Sequence, residues 1–296
     1  MRILVTGRDG QVAASLREAA ETAGDVAVIA LGRPELDLAE PQSVMREVAA
    51  AEADIVVSAA AYTAVDQAED EPARAEAVNV RGAEAVAAAA AAAGLPIVHL
   101  STDYVFAGTS DRPYVETDPT GPQGVYGRTK LVGEQAVAAA NPRHVILRTA
   151  WVYSPFGKNF VKTMLRLAVD RDEVAVVSDQ WGNPTAAADI ADGILCIARR
   201  LAFDPTVDGY GVFHLAGSGA TNWSGFAEEI MRASKALGGP WSRVRAITTE
   251  DYPTKARRPA NSRLSTEKLD RCYGWRAPPW QHSLARVVNR LVGARS

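Results

Sequence analysis

The sequence predicts an α/β protein, a doubly wound parallel sheet of Rossmann type with a smaller C-terminal lobe, on three observations. Short apolar runs rich in β-branched residues alternate with helix-like segments through the first half of the 296 residues. The glycine turn Gly7-Arg8-Asp9-Gly10-Gln11-Val12-Ala13 lies between the first run and the first helix. Beyond about Thr149 the alternation gives way to prolines, tryptophans and turns, as in Trp181-Gly182-Asn183-Pro184-Thr185.

In chain order, strands are expected at 3–6, 26–31, 55–58, 97–101 and 145–149, with helices at 11–23, 41–51, 73–93 and 125–140. Strands that alternate with helices form a parallel sheet covered on both faces, with the loops after the strands gathered along one ligand-binding edge. A helix at 187–201 and a strand at 211–216 are expected to return to the sheet. The dinucleotide-binding domain is therefore drawn as 1–152 with a return segment near 186–217. Residues 153–185 and 218–296 form the second lobe, over the ligand edge.

Composition narrows the function classes. With 47% hydrophobic and 23% charged residues and a formal net charge of −3, the chain has an ample core and no global basic field for nucleic acid or an anionic membrane. Met1 runs directly into a strand-like segment with no signal-peptide pattern, so a cytoplasmic protein is expected. The alanine run 87–93 is short and flanked by Arg81, Glu84 and Gly94, which reads as a tightly packed helix and not a membrane span. Cys196 and Cys272 lie in no metal-ligand spacing and read as structural thiols, and no metal is expected.

Gly7, Gly10 and Ala13 let a turn close and bring backbone N–H groups to a pyrophosphate at a helix N-terminus, with Gln11 and Val12 between them. That context points to a nicotinamide dinucleotide. The second strand ends in Ala30-Leu31-Gly32-Arg33, without an acid at its tip, so Arg33 is placed to pair with a 2′-phosphate. This leans toward NADPH with NADH possible. Arg33 reads equally as a solvated loop arginine, and Glu35 and Asp37 lie close by. Asp37 and Leu38 are candidates for the adenine edge, and Ala59, Ala60 and Ala61 give small residues where backbone approaches the cofactor or, alternatively, where elements pack.

Tyr126 and Lys130 stand four apart on one helix face, so an ammonium is expected to lower the proton affinity of a phenol. Hydride delivery to a ketone builds charge on oxygen that needs a proton as it forms, and Tyr126 is the candidate donor. Thr102, at the end of the fourth strand, is placed to donate to the substrate oxygen or orient the phenol. Standing alone, such a pair reads as a chance surface pair; with the glycine turn and Thr102 in order it reads as catalysis.

The order Gly7-x-x-Gly10-x-x-Ala13, Thr102, Tyr126-x-x-x-Lys130 resembles the extended short-chain dehydrogenase/reductase superfamily. More narrowly, the segments 59–66 (AAAYTAVD), 101–106 (STDYVF), 125–130 (VYGRTK), 148–153 (RTAWVY) and 257–262 (RRPANS) resemble the dTDP-4-dehydrorhamnose reductase family. The resemblance spans almost the whole chain. It implies NADPH-dependent reduction of the 4-keto group of dTDP-4-dehydro-β-L-rhamnose in dTDP-rhamnose biosynthesis, with Tyr126 as donor, Lys130 as its activator and ribose ligand, and Thr102 adjusting the phenol. It also implies that Asp103, Tyr104 and Trp151 contact the dTDP-sugar. Arg257, Arg258 and Arg263 are further candidates for its diphosphate, or a solvated basic loop. Some members carry an acid on the first helix that helps bind magnesium between subunits; Ser15 stands there, so a metal-bridged dimer is not expected, and the chain is read as a monomer or homodimer.

Three rivals share these features. A sugar-nucleotide dehydratase wants an Asp-Glu pair after the threonine, where this chain has Asp103-Tyr104. A 4-epimerase needs the same tyrosine and lysine but retains NAD through turnover. A non-catalytic regulatory subunit, like that of methionine adenosyltransferase, would bind a dinucleotide structurally and grip a partner enzyme.

Overall fold

A computed structural model describes residues 1–203 and 209–293. Its first half runs β1 (Arg2–Thr6), α1 (Gln11–Ala23), β2 (Ala27–Leu31), α2 (Pro41–Ala50), β3 (Ile55–Ser58), α3 (Val65–Ala68), α4 (Pro72–Glu76), a π-helical turn (Ala77–Gly82), α5 (Ala83–Ala92), β4 (Ile97–Thr102), α6 (Val125–Ala140) and β5 (His144–Thr149). Then follow β6 (Val152–Tyr153), α7 (Phe160–Asp170), β7 (Glu173–Val177), β8 (Trp181–Gly182), β9 (Thr185–Ala186), α8 (Ala187–Phe203), β10 (Gly211–His214), β11 (Thr221–Asn222), α9 (Trp223–Ala236), β12 (Arg243–Ile247), α10 (Glu267–Tyr273) and α11 (Trp280–Val292).

Among the described residues, a six-stranded sheet has the order β10-β5-β4-β3-β1-β2, every neighbour parallel. The chain starts at β1, steps outward to β2, then reverses past β1 to β3, so the switch point lies between β1 and β3. Period-two alternation divides the strands between two cores. Ile3, Val5, Ile55 and Val57 face α1 and α8, whereas Leu4, Val56 and Ile146 face α2 and α5. Burial on both faces is why these strands read as continuous apolar runs.

The alanine-rich segment forms α5, with Val86, Ala87 and Ala90 fully buried, and no described helix is long and apolar enough to cross a membrane. The single helix expected over 73–93 is instead α4, the π turn and α5. Asn79, on the widened turn, is buried and bonds three ways: it accepts from Tyr62 N–H at 2.8 Å and donates to the Tyr62 carbonyl and Thr129 Oγ1, each at 3.1 Å. That polar anchor is the local reason for the bulge, and such bulges recur beside functional sites.

The C-terminal elements build a separate apolar core around Tyr153, Phe226, Trp280, Leu284 and Val288. α7, α9 and α11 supply most of it, edged by the short ladders β7–β12, β6–β9 and β8–β11. Both cysteines are free and half-buried.

Candidate active site

The cofactor end begins at the switch point. Gly7 adopts φ +97°, and a Cβ there would sit 3.3 Å from Ala60, so the turn closes only with a residue that tolerates this conformation and this approach. Thr6 Oγ1 accepts from the N–H groups of Ala59 and Ala60, each at 3.1 Å, binding the β1 and β3 loops together. Gly10 caps α1 without a side-chain cap, and the first turn carries no acid. The leading N–H groups of α1 are therefore available to an anion, and this turn fits a dinucleotide pyrophosphate.

The other cofactor candidates divide. Val12 and Leu38 are buried in the cores on opposite faces of the sheet. Asp37 uses its carboxylate on the N–H of Ala39 at 2.9 Å, shaping the approach to α2. Arg33 is exposed. Arg8, inside the glycine turn, pairs with Glu35 and reaches the Gly32 carbonyl at 3.4 Å. Gln11 points toward the C-terminal core: its Oε1 accepts from Ser154 Oγ at 2.7 Å and Asn159 Nδ2 at 2.9 Å.

Thr102 ends β4 and Tyr126 stands in the first turn of α6. The Thr102 hydroxyl donates to Asp103 Oδ1 at 2.9 Å and accepts from Tyr104 N–H at 3.2 Å, beside the Tyr126 phenol. Burial drives the phenol well above the usual tyrosine range; Thr102 pulls it back, and Asp103 and Tyr104 push it further up. The expectation that Lys130 lowers this phenol is thus not met here. Lys130 is 2% exposed and turns to β4, its Nζ donating to the Leu100 carbonyl at 2.6 Å and lying 3.3 Å from His99 Nε2. Burial brings its pKa down to about 8, and Glu134 opposes the fall. Helical spacing put both groups on one face, but the strand beneath competes for the ammonium.

Beside the phenol, Asp103 is 3% exposed and its Oδ2 makes no hydrogen bond. Burial raises it to about 6, against the stabilising Ser262 and Thr102 hydroxyls. The Tyr104 ring meets Tyr126 edge-on at 5.6 Å. Its hydroxyl accepts from Arg258 Nη1 at 3.1 Å, and Arg258 also pairs with Asp66 at 2.7 Å. Of the other two arginines, Arg257 is exposed and Arg263 donates to the Asp111 carbonyl at 2.6 Å and to Asn261 Oδ1 at 2.7 Å.

Trp151 is half-buried at φ +49°, a left-handed conformation uncommon for a bulky side chain and frequent at functional sites. Its ring stacks on Trp223 at 3.6 Å. Sequence reasoning singled out neither Trp223 nor the buried His99. The signal for His99 was a polar residue in an otherwise apolar strand, two before Ser101 and hence on the same face.

A family model described as RmlD substrate binding domain matches residues 1–292. The chain is 52% identical over 292 residues to a dTDP-4-dehydrorhamnose reductase of Sinorhizobium fredii (strain NBRC 101917 / NGR234), covering 99% of this chain and 98% of that protein. Its fold is similar to the crystal structure of a dTDP-4-dehydrorhamnose reductase from Clostridium acetobutylicum ATCC 824, with a TM-score of 0.90 at 37% identity over 98% of this chain and 99% of the other. It is likewise similar to the dTDP-4-dehydrorhamnose reductase of Bacillus anthracis str. Ames in complex with NADP, with a TM-score of 0.89 at 33% identity and the same coverage. The chain belongs to the dTDP-4-dehydrorhamnose reductase family.

Proposed function

We propose that this protein reduces the 4-keto group of dTDP-4-dehydro-β-L-rhamnose to dTDP-L-rhamnose with NADPH, in the cytoplasm, as a monomer or homodimer. The observation that carries the reading is Tyr126 packed edge-on against Tyr104, two residues after Thr102 at the end of β4, and one helical turn from a buried Lys130, in a chain matched along its length by such reductases. Residues 153–185 and 218–296 form the lobe over the sugar nucleotide, and 1–152 with 186–217 the dinucleotide domain.

The glycine turn and the N-terminus of α1 hold the pyrophosphate, with Ala59 to Ala61 lining the approach. A reduced dinucleotide held there would supply the hydride for the C4 carbonyl. Tyr126 is the donor for the complementary step: burial keeps its phenol protonated and also makes it a weaker acid, so release of the proton depends on groups that stabilise the phenolate. Thr102, whose one hydroxyl proton goes to Asp103 Oδ1 here, orients the phenol or turns that proton to the same carbonyl oxygen. The phenolic proton moves to that oxygen, and the Lys130 ammonium, tied to β4 at Leu100 and His99, keeps one donor for the ribose hydroxyls. Asp103, Tyr104 and Trp151 meet the sugar nucleotide. Tyr104, engaged by Arg258, occupies the place where a dehydratase would need an acid.

The test is NADPH oxidation with the dTDP-ketosugar generated in place, followed by identification of the product sugar. Tyr126→Phe is expected to lower kcat by ~10²-fold or more while leaving NADPH binding largely intact. Turnover near the wild-type value in that variant would take the phenol out of the mechanism.

A further inference from the structure

The face of β4 turned to α6 carries His99 and Ser101, and the helix answers with Lys130 and Glu134, four apart. Ser101 Oγ donates to Glu134 Oε1 at 2.5 Å, and Glu134 also takes Arg148 Nη2 at 2.7 Å. That half is a buried ion pair that leaves Arg148 Nη1 without a hydrogen bond. The other half, His99 with Lys130, ends on a group that the proposed reaction uses.

Lys130 Nζ donates to the Leu100 carbonyl at 2.6 Å and lies 3.3 Å from His99 Nε2, while His99 Nδ1 lies 3.1 Å from Ser58 Oγ. An ammonium has three donors and no lone pair, so Nε2 must be the acceptor. The ring proton therefore sits on Nδ1, facing Ser58. A protonated imidazole would place two like charges 3.3 Å apart in a buried site, and His99 is held well below its usual range by burial and by Lys130.

We propose that His99 is the positioning residue for Lys130: a neutral, Nδ1-protonated imidazole that, with the Leu100 carbonyl, holds two ammonium hydrogens against β4, keeps the group charged, and leaves the third for the cleft. The use of that third hydrogen rests on the reductase reading; the contact and its effect on Lys130 do not. The titratable groups around the ammonium are few. Glu134 faces it from α6 and is committed to Arg148 of β5, and His99 faces it from β4. Glu69, at the α3 corner, accepts from Val125 N–H at the start of α6, and Glu71 takes the Tyr62 hydroxyl.

The experiment follows Lys130 through its side-chain NMR signals in the labelled apoprotein, assigned by their loss in Lys130→Met, beside the pH profile of kcat. His99→Leu removes the acceptor from an already desolvated ammonium. The Lys130 midpoint is expected to drop by about one pH unit, and the alkaline fall of kcat to move down with it. His99→Gln, which keeps an acceptor for Lys130 and a donor for Ser58, is expected to restore both. Ser58→Ala removes only the far partner of the ring and should move the midpoint the same way by less, which carries the test if His99→Leu does not fold. An unmoved midpoint in His99→Leu or, failing that, in Ser58→Ala overturns the proposal, as does a His99→Gln midpoint as low as that of His99→Leu. A shifted midpoint alongside wild-type turnover in Tyr126→Phe would sink the reductase mechanism and leave His99 standing.

Discussion

Asp103 lies next to the hydroxyl that orients the phenol, and its carboxylate is raised from 3.8 to about 6 by burial, partly offset by Ser262 and Thr102. Below pH 4 the folded and unfolded chains both hold this proton and burial exacts nothing. Between pH 4 and 6 the unfolded chain gives up this proton while the folded one keeps it, so stability falls by up to about 3 kcal/mol and levels off above 6. Asp103→Asn is expected to raise stability at pH 7.5 by about 1–3 kcal/mol and flatten the dependence between pH 4 and 6. It is also expected to raise KM for the sugar nucleotide tenfold or more, because the charged acceptor is lost. Urea titrations at several pH values with steady-state kinetics check both; equal slopes in the two proteins would mean that Asp103 is not the titrating group. At this scale, residue type and spacing made Thr102, Tyr126 and Lys130 legible. Their electrostatics were not legible, because the desolvation of the phenol and the capture of Lys130 by Leu100 and His99 come from β4, some 30 residues away in the chain.

The element that sets the geometry is α6, and its placement depends on a missing side chain. A Cβ on Gly127 would lie 2.2 Å from the Tyr104 carbonyl oxygen and 3.0 Å from Pro122 Cβ, so the helix approaches the β4 loop only because residue 127 is glycine. Gly127→Ala must push α6 away from Thr102 and Asp103, carrying Tyr126 with it. The strain is expected to cost about 1–3 kcal/mol in stability. The displacement is expected to reduce kcat by up to ~10²-fold with a smaller change in NADPH affinity. Urea unfolding and steady-state kinetics measure the two effects, and wild-type values in both would show that the contact yields without moving the phenol. The strands of the sheet were readable from their apolar runs, and most helices from their flanking turns. The π turn was not, since nothing in the run from Ala73 to Ala93 marks Asn79 as the anchor of the Tyr62 backbone and Thr129; that role exists only once β3 and α6 are in place.

Across the whole molecule, the sheet and the C-terminal core meet over the ligand edge through a few polar ties. Gln11 holds Ser154 and Asn159 near the glycine turn, and Arg258 joins Asp66 and Tyr104 near the phenol. The C-terminal half was hard to read because its three ladders are short and its core is aromatic. Pairs such as Trp151 with Trp223 meet from distant positions and leave no period in the sequence. Yet these ties join the C-terminal residues to the neighbourhood of the glycine turn and of Tyr104. Arg258 is half-buried, and its guanidinium is satisfied by one carboxylate from the sheet side and by the hydroxyl of a ring packed on Tyr126. Arg258→Met keeps the apolar stem and removes both bonds. Since the glycine turn is remote from them, the variant is expected to raise KM for the dTDP-sugar about tenfold and lower kcat modestly, with NADPH affinity unchanged. If Asp66 acts through Arg258, then Asp66→Asn should cost less in the Arg258→Met background than in wild type, with a coupling of about 1 kcal/mol in kcat/KM for the sugar nucleotide. Strictly additive effects would mean that the two residues serve the cleft separately, and that the C-terminal segment is held over the phenol by its apolar contacts alone.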